Sequence, residues 1–133
     1  MGSVTFKKTE KRYLRSKEIG RLATVSRDGT PHVVPVSYLF RDNSFLIAVD
    51  YTTQKLRNLR RNRRTALVVD TLRPNRGILI QGDAKLIVRG AEFRRTYSQF
   101  YRAFGWVRAD PWKEGEASFV RITPTTKASW GFT

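Results

Sequence analysis

The run Arg21-Leu22-Ala23-Thr24-Val25-Ser26-Arg27-Asp28-Gly29-Thr30-Pro31-His32-Val33-Val34-Pro35-Val36-Ser37-Tyr38-Leu39-Phe40 holds two segments rich in β-branched and aromatic residues on either side of an Asp-Gly pair. Asp-Gly accepts the positive φ angles of a tight turn, so the run predicts a β-hairpin. Pro35 has no N–H to give a ladder, which puts it at an edge, a bulge or a gap facing a ligand. A second turn, Arg41-Asp42-Asn43-Ser44, leads into a third strand, Phe45-Leu46-Ile47-Ala48-Val49.

The pattern continues on both sides. Upstream, residues Thr9 to Lys17 read as a short helix, with Glu10, Tyr13, Leu14 and Ile19 toward the body. Downstream, Tyr51-Thr52-Thr53-Gln54 opens a helix to about Asn62, capped by a threonine and apolar at Leu56 and Leu59. Thr65 to Thr71 reads as a buried strand and Gly77 to Val88 as a long one, where Gly77 and Gly82 suggest a bulge or a close backbone approach. From Gly90, Phe93, Tyr97, Phe100, Tyr101 and Phe104 recur at three- and four-residue steps, one face of a helix. A last strand runs through Ser118 to Thr123, ended by Pro124. Sequential short strands joined by turns predict a mainly β (α+β) chain: an antiparallel sheet closed into a barrel, flanked by helices, in a single domain over residues 1–133.

Composition narrows the chemistry. Hydrophobic residues make up 40% of the chain, enough for a core, and no apolar run approaches the ~20 residues of a membrane span. The first residues lack the apolar block of a secretory signal. Cysteine is absent, which removes disulfides and thiolate chemistry and fits a cytoplasmic protein. His32 is the single histidine and cannot build a histidine-rich metal site, so no metal is expected. The formal charge of +15 attracts anionic ligands or polyanions.

Five features bear on function. At the junction Val49-Asp50-Tyr51-Thr52-Thr53-Gln54-Lys55, free helix N–H groups, the hydroxyls of Thr52 and Thr53 and the charge of Lys55, with Asn58 one turn on, would cradle a phosphate. The same residues also suit an ordinary capped helix. His32 suits a polar ligand contact or a hydrogen-bonded strand position. Gln81, beside Gly82, offers a donor and an acceptor to a heterocycle edge, or simply faces solvent. The run from Arg57 to Arg64 lacks interleaved aromatics for base stacking, so nucleic-acid binding is expected to be weak and non-specific. Trp106, Trp112 and Trp130 could stack on a planar cofactor or seal an interface. No acid–base pair or nucleophile triad stands out and no catalytic residue is assigned; as an enzyme, the chain would leave the hard chemistry to a cofactor.

The stretch Ile19 to Val36, the stretch Thr53 to Asp70, and Ile80-Gln81-Gly82-Asp83-Ala84 in that order resemble the pyridoxamine 5′-phosphate oxidase-like, FMN-binding split-barrel family. The resemblance implies a six-stranded split barrel and a homodimer with two FMN sites at its interface. It implies that Lys55, with Thr53 and Asn58, holds the phosphate. It also implies that the segments His32 to Val36, including Val34 and Pro35, and Ile47 to Asp50, including Val49, line the ring and ribityl chain. Gln81 would touch the ring, and Trp130 would cover it from the partner subunit. True oxidases carry basic residues where His32 and Ser37 stand and an arginine where Gln54 stands, and have a C-terminal substrate-binding extension. These departures argue against pyridoxamine phosphate as substrate. A neighbouring branch that uses the deazaflavin coenzyme F-420 is also similar. The sequence thus points to an FMN-binding oxidoreductase acting on a small molecule. A deazaflavin-dependent reductase, a non-catalytic flavin-binding protein and a basic nucleic-acid-binding barrel are its rivals.

Overall fold

The computed structural model describes residues 4–50, 52–113 and 117–132. Six strands form a closed barrel: β1 (Ile19–Val25), β2 (Pro31–Arg41), β3 (Ser44–Asp50), β4 (Arg64–Thr71), β5 (Arg76–Ile87) and β6 (Ala117–Trp130). Their order is β1-β2-β3-β6-β5-β4, every pairing is antiparallel, and β4 returns to β1. The two turns form where the sequence placed them. Gly29 sits at φ +87°, and Asp42 and Asn43 at +53° and +57°, conformations that Gly, Asn and Asp adopt most readily. The Asp28 carboxylate accepts from the Ser26 hydroxyl and the Thr30 N–H, which hold its pKa down at about 2.

β2 changes partner along its length. Its first seven residues, Pro31 to Ser37, pair with β1, whereas Tyr38 to Arg41 pair with β3. The first half therefore has a ladder on one side, and the barrel is split there. Pro35, opposite Arg21, lies in this half, so its missing N–H is accommodated at an open edge.

Pro124 does not end the last strand, which continues to Trp130. The register with β5 shifts between Gln81 and Gly82, so that Thr126 faces Gln81 and Pro124 faces Gly82. This is a bulge, and Gly82 makes it possible: a Cβ there would stand 2.3 Å from the Thr123 carbonyl oxygen.

The helices are α1 (Lys8–Ser16), α2 (Gln54–Arg61), α3 (Gly90–Ala103) and a short α4 (Gly105–Ala109) that the sequence pattern did not predict. The barrel interior is filled by residues such as Leu22, Tyr38, Phe45, Ile47, Val69, Ile80 and Val120. α2 closes the end where β3 stops and β4 starts. Leu56 and Leu59 are fully buried in that core, each contributing on the order of 1.5–3 kcal/mol. α1 closes the opposite end, where the Tyr38 hydroxyl donates to the Leu14 carbonyl at 2.5 Å. A second apolar cluster lies outside the barrel, where Phe93, Phe100 and Phe104 pack on Leu39, Leu46 and Phe119. Among the described residues, no helix is long and apolar enough to cross a membrane.

Candidate functional site

The split in β2 and the start of α2 lie at the same end of the barrel. The chain leaves β3 at Asp50 and turns into α2 within a few residues. The Thr53 N–H and hydroxyl both reach back to the Asp50 carbonyl, at 3.3 and 2.8 Å. Thr53 is the N-cap residue, but its hydroxyl is used in this turn and does not cap the helix. Arg57 clamps the same turn from the helix, donating to the Thr52 carbonyl at 2.8 Å and to Gln54 Oε1 at 2.9 Å. The turn is thus tied down by its own groups. Lys55, half-buried in the first turn of α2, makes no side-chain hydrogen bond or ion pair among the described residues. A cation beside the positive end of a helix is placed to meet an anion.

Asn58 is fully buried. Its amide donates to Thr24 Oγ1 at 2.9 Å and accepts from Gln54 Nε2 at 2.7 Å. It braces α2 onto β1. Thr24 pairs with His32 across the β1–β2 ladder. His32 Nδ1 is buried and has no hydrogen-bond partner, and the same holds for Ser118 Oγ on β6. Ser118 pairs with Val49. Two buried polar atoms without partners therefore lie on strands flanking β3 at the α2 end, where a polar ligand or water would satisfy them.

The other expected lining residues divide by face. Val36 and Val49 are buried with the interior core, and Val34 packs against it. From the outside these positions offer backbone. Pro35, Asp50 and Thr52 are exposed. Tyr51 lies outside the described residues.

Gln81 is elsewhere in the chain. It is exposed on the outer face of β5, where its Oε1 accepts from the Thr126 hydroxyl at 2.9 Å. It lines a groove of about 520 Å3 with Ala23, Pro31, Arg64, Ala66 and Thr125. The ladder runs Gln81, Ala66, Ala23, Val33, three strand spacings or about 14 Å from β5 to β2. Arg64 was read from the sequence only as the end of a basic run, and Thr125 was not singled out; the bulge that turns Thr125 over Gln81 is a long-range pairing. Trp130 is 40% exposed and lies against Gly77 of its own chain, where a Cβ would come within 2.0 Å of its Cζ2. One chain therefore places His32, the β2 edge, the α2 turn and Lys55 at one end of the barrel, with Gln81 and Trp130 on the strands β5 and β6. Trp112 belongs to the outer core, its N–H donating to the Tyr97 hydroxyl at 2.7 Å, and Trp106 packs edge-on against it.

Among the described residues there is no His, Asp or Glu cluster that would hold a metal ion. The donor set instead suits an organic cofactor bearing a phosphate: a cation and a helix start for the anion, a strand edge for a ring, and buried polar atoms at His32 and Ser118.

Residues 6–131 match the family described as pyridoxamine 5′-phosphate oxidase. A relative in Streptomyces rimosus, a 5a,11a-dehydrotetracycline/5a,11a-dehydrooxytetracycline reductase, is 35% identical over 95% of this chain and 83% of its own length. Among solved structures, the heme storage protein HutZ of Vibrio cholerae superposes with a TM-score of 0.82 at 16% identity, covering 97% of each chain. An FAD-binding protein of Mesorhizobium loti superposes at 0.73 and 21% identity, again over 97% of each. At these identities the two structures establish the shared fold.

Proposed function

Because this chain belongs to the pyridoxamine 5′-phosphate oxidase family, we propose that it is a cytoplasmic oxidoreductase with FMN as its cofactor, reducing a conjugated, unsaturated small molecule. The substrate class rests on the 35%-identical reductase. The observation that carries the cofactor reading is the α2 end of the split. Among the described residues Lys55 stands there without a partner beside the helix start, and His32 Nδ1 is buried and unsatisfied. Lys55 and the first turn of α2 hold the phosphate. The β2 backbone from His32 to Val36 and the end of β3 line the ring, which when bound supplies the hydride. The Asp50–Thr53 hydrogen bonds and the Arg57 clamp keep this turn in shape before the ligand arrives, so less ordering is needed on binding.

A homodimer completes the site in this reading. Val25 and Val33 are exposed at 37 and 65%, an apolar patch on β1 and β2 beside the groove that holds Gln81, and Ile19 is exposed at 50% at the other end of β1. A two-fold partner seated on this patch brings its own Gln81 and C-terminal segment to the ring.

The test is the purified protein's absorbance and the mass of the cofactor it releases. FMN is the expected result. The deazaflavin coenzyme F-420 would keep the site and change the cofactor, while heme, or a colourless protein with no affinity for either flavin, would overturn the proposal. Lys55→Ala should weaken FMN binding roughly tenfold to a hundredfold, the value of a charged hydrogen bond to phosphate.

A further inference from the structure

The barrel end closed by α1 carries positive charge that the cofactor reading leaves unused. Arg12 and Lys17 come from α1 and its C-cap; Arg73 lies in the turn between β4 and β5, and Arg76 opens β5. These four cations, with the hydroxyls of Ser16 and Thr71, line a hollow of about 280 Å3. Among the described residues no carboxylate lines it. Among the described residues, none of the four cations has a carboxylate partner, whereas Arg21, Lys85, Arg121 and Lys127 do.

Two of the cations, Lys17 and Arg76, lie over aromatic rings. The Lys17 ammonium lies 5.3 Å from the centre of the Tyr13 ring and the Arg76 guanidinium 5.5 Å from that of Phe132. The two rings meet edge-on at 5.2 Å. The Tyr13 hydroxyl donates to Thr71 Oγ1 at 3.2 Å, and the Thr71 hydroxyl donates to the Pro74 carbonyl at 2.9 Å. Helix, turn and C-terminal segment are thereby tied together around the hollow. Four like charges around one concavity repel one another, and a multivalent anion relieves that repulsion.

We propose that this hollow binds an oligophosphate group, at a site distinct from the cofactor phosphate. The volume falls just below the ~300–1,000 Å3 typical of pockets for drug-sized ligands, which suits a phosphate chain better than a ring system. The charge of a di- or triphosphate matches four cations, three of them guanidinium forks that suit phosphate oxygens. The eight residues of β4 separate this end from the α2 end by about 26 Å, beyond the reach of an anion held at Lys55. A free inorganic chain and the tail of a nucleotide present the same chemistry here.

Calorimetric titration of the full chain with tripolyphosphate and with ATP, at about 0.15 M salt to screen the general surface field, tests the site. The expected result is saturation at one ligand per chain. The double variant Arg12→Glu/Arg73→Glu should weaken it about tenfold or more, while Arg61→Glu/Arg63→Glu, with the same change in net charge, and Lys55→Ala should stay within about twofold. Arg73→Gln, a milder change in an exposed turn, should give a partial loss with an unchanged melting curve. Tighter binding of either ligand supports the site and identifies the source of the phosphate. Equal losses in the two double variants, a loss confined to Lys55→Ala, or no saturable binding would each overturn the proposal.

Discussion

Replacing Asn58 separates its structural role from a part in ligand binding. Asn58→Ala removes the donor to Thr24 Oγ1 and the acceptor for Gln54 Nε2. Thr24 is 2% exposed, so water does not easily replace the lost partner. An unsatisfied buried hydroxyl costs about 1–3 kcal/mol, and the Gln54 side is milder because that residue is exposed and keeps its bond with Arg57. A total of about 2 kcal/mol corresponds to a fall in Tm of roughly 6–12 °C for a chain of this size. The assay is thermal melting of Asn58→Ala and Lys55→Ala side by side, with FMN affinity measured on each. A crossed pattern is expected: Asn58→Ala lowers stability, while Lys55→Ala lowers affinity and leaves the melt within about 0.5 kcal/mol, as for a surface substitution. If Asn58→Ala melts like the parent and loses FMN affinity as Lys55→Ala does, the brace assignment is wrong and Asn58 is a ligand.

Three further outcomes are expected. Gly77→Ala puts a Cβ 2.0 Å from the Trp130 ring, so the indole must move; with Trp106 and Trp112 changed to Phe, the remaining emission should shift to the red and stability fall by about 1–3 kcal/mol, and an unaltered spectrum and melt would refute the contact. Burial raises the pKa of Glu10, but hydrogen bonds and the Lys127 charge outweigh it and hold the carboxyl below its ordinary value; its stabilisation is therefore present above the ordinary carboxylate range and lost as pH falls through the depressed folded value, so Glu10→Gln should flatten the acid limb of a urea-midpoint profile, and parallel limbs would count against it. Val33→Glu, at a 65% exposed position, should convert a dimer to a one-chain mass in light scattering without changing the circular dichroism, whereas a parent already of one-chain mass would undo the shared site.

The barrel was legible because its turns announce themselves locally. Asp28-Gly29 and Asp42-Asn43 adopt the positive φ values that those residues favour, and the alternation along β1 and β4 puts one face of each strand into the core. Pro124 misled for a reason of the same kind. A proline is a local stop signal, yet its effect is cancelled by Gly82 on the neighbouring strand, 42 positions earlier, where the missing side chain lets the bulge form. α4 is five residues long, too short to show a period, and Val107 alone buries its side.

The geometry of the candidate site was legible to the same distance and no further. The clustering of Thr53, Lys55 and Asn58 around one helix start follows from spacing, and the structure has it. What each side chain does there depends on partners that spacing does not reveal. Asn58 is consumed by Thr24, 34 positions away, and Thr53 by the Asp50 carbonyl. The groups left over are Lys55, His32 Nδ1 and Ser118 Oγ, and the latter two are buried. His32 shares the inward face of β2 with Val34 and Val36, in the half of the strand that lacks β3 as a partner. In the proposed function, the ligand that satisfies His32 enters along that open edge, with its anion toward Lys55 and its body against the β2 backbone. The polar groups spent on the fold hold the edge open and the turn rigid, and those not spent define what the edge receives.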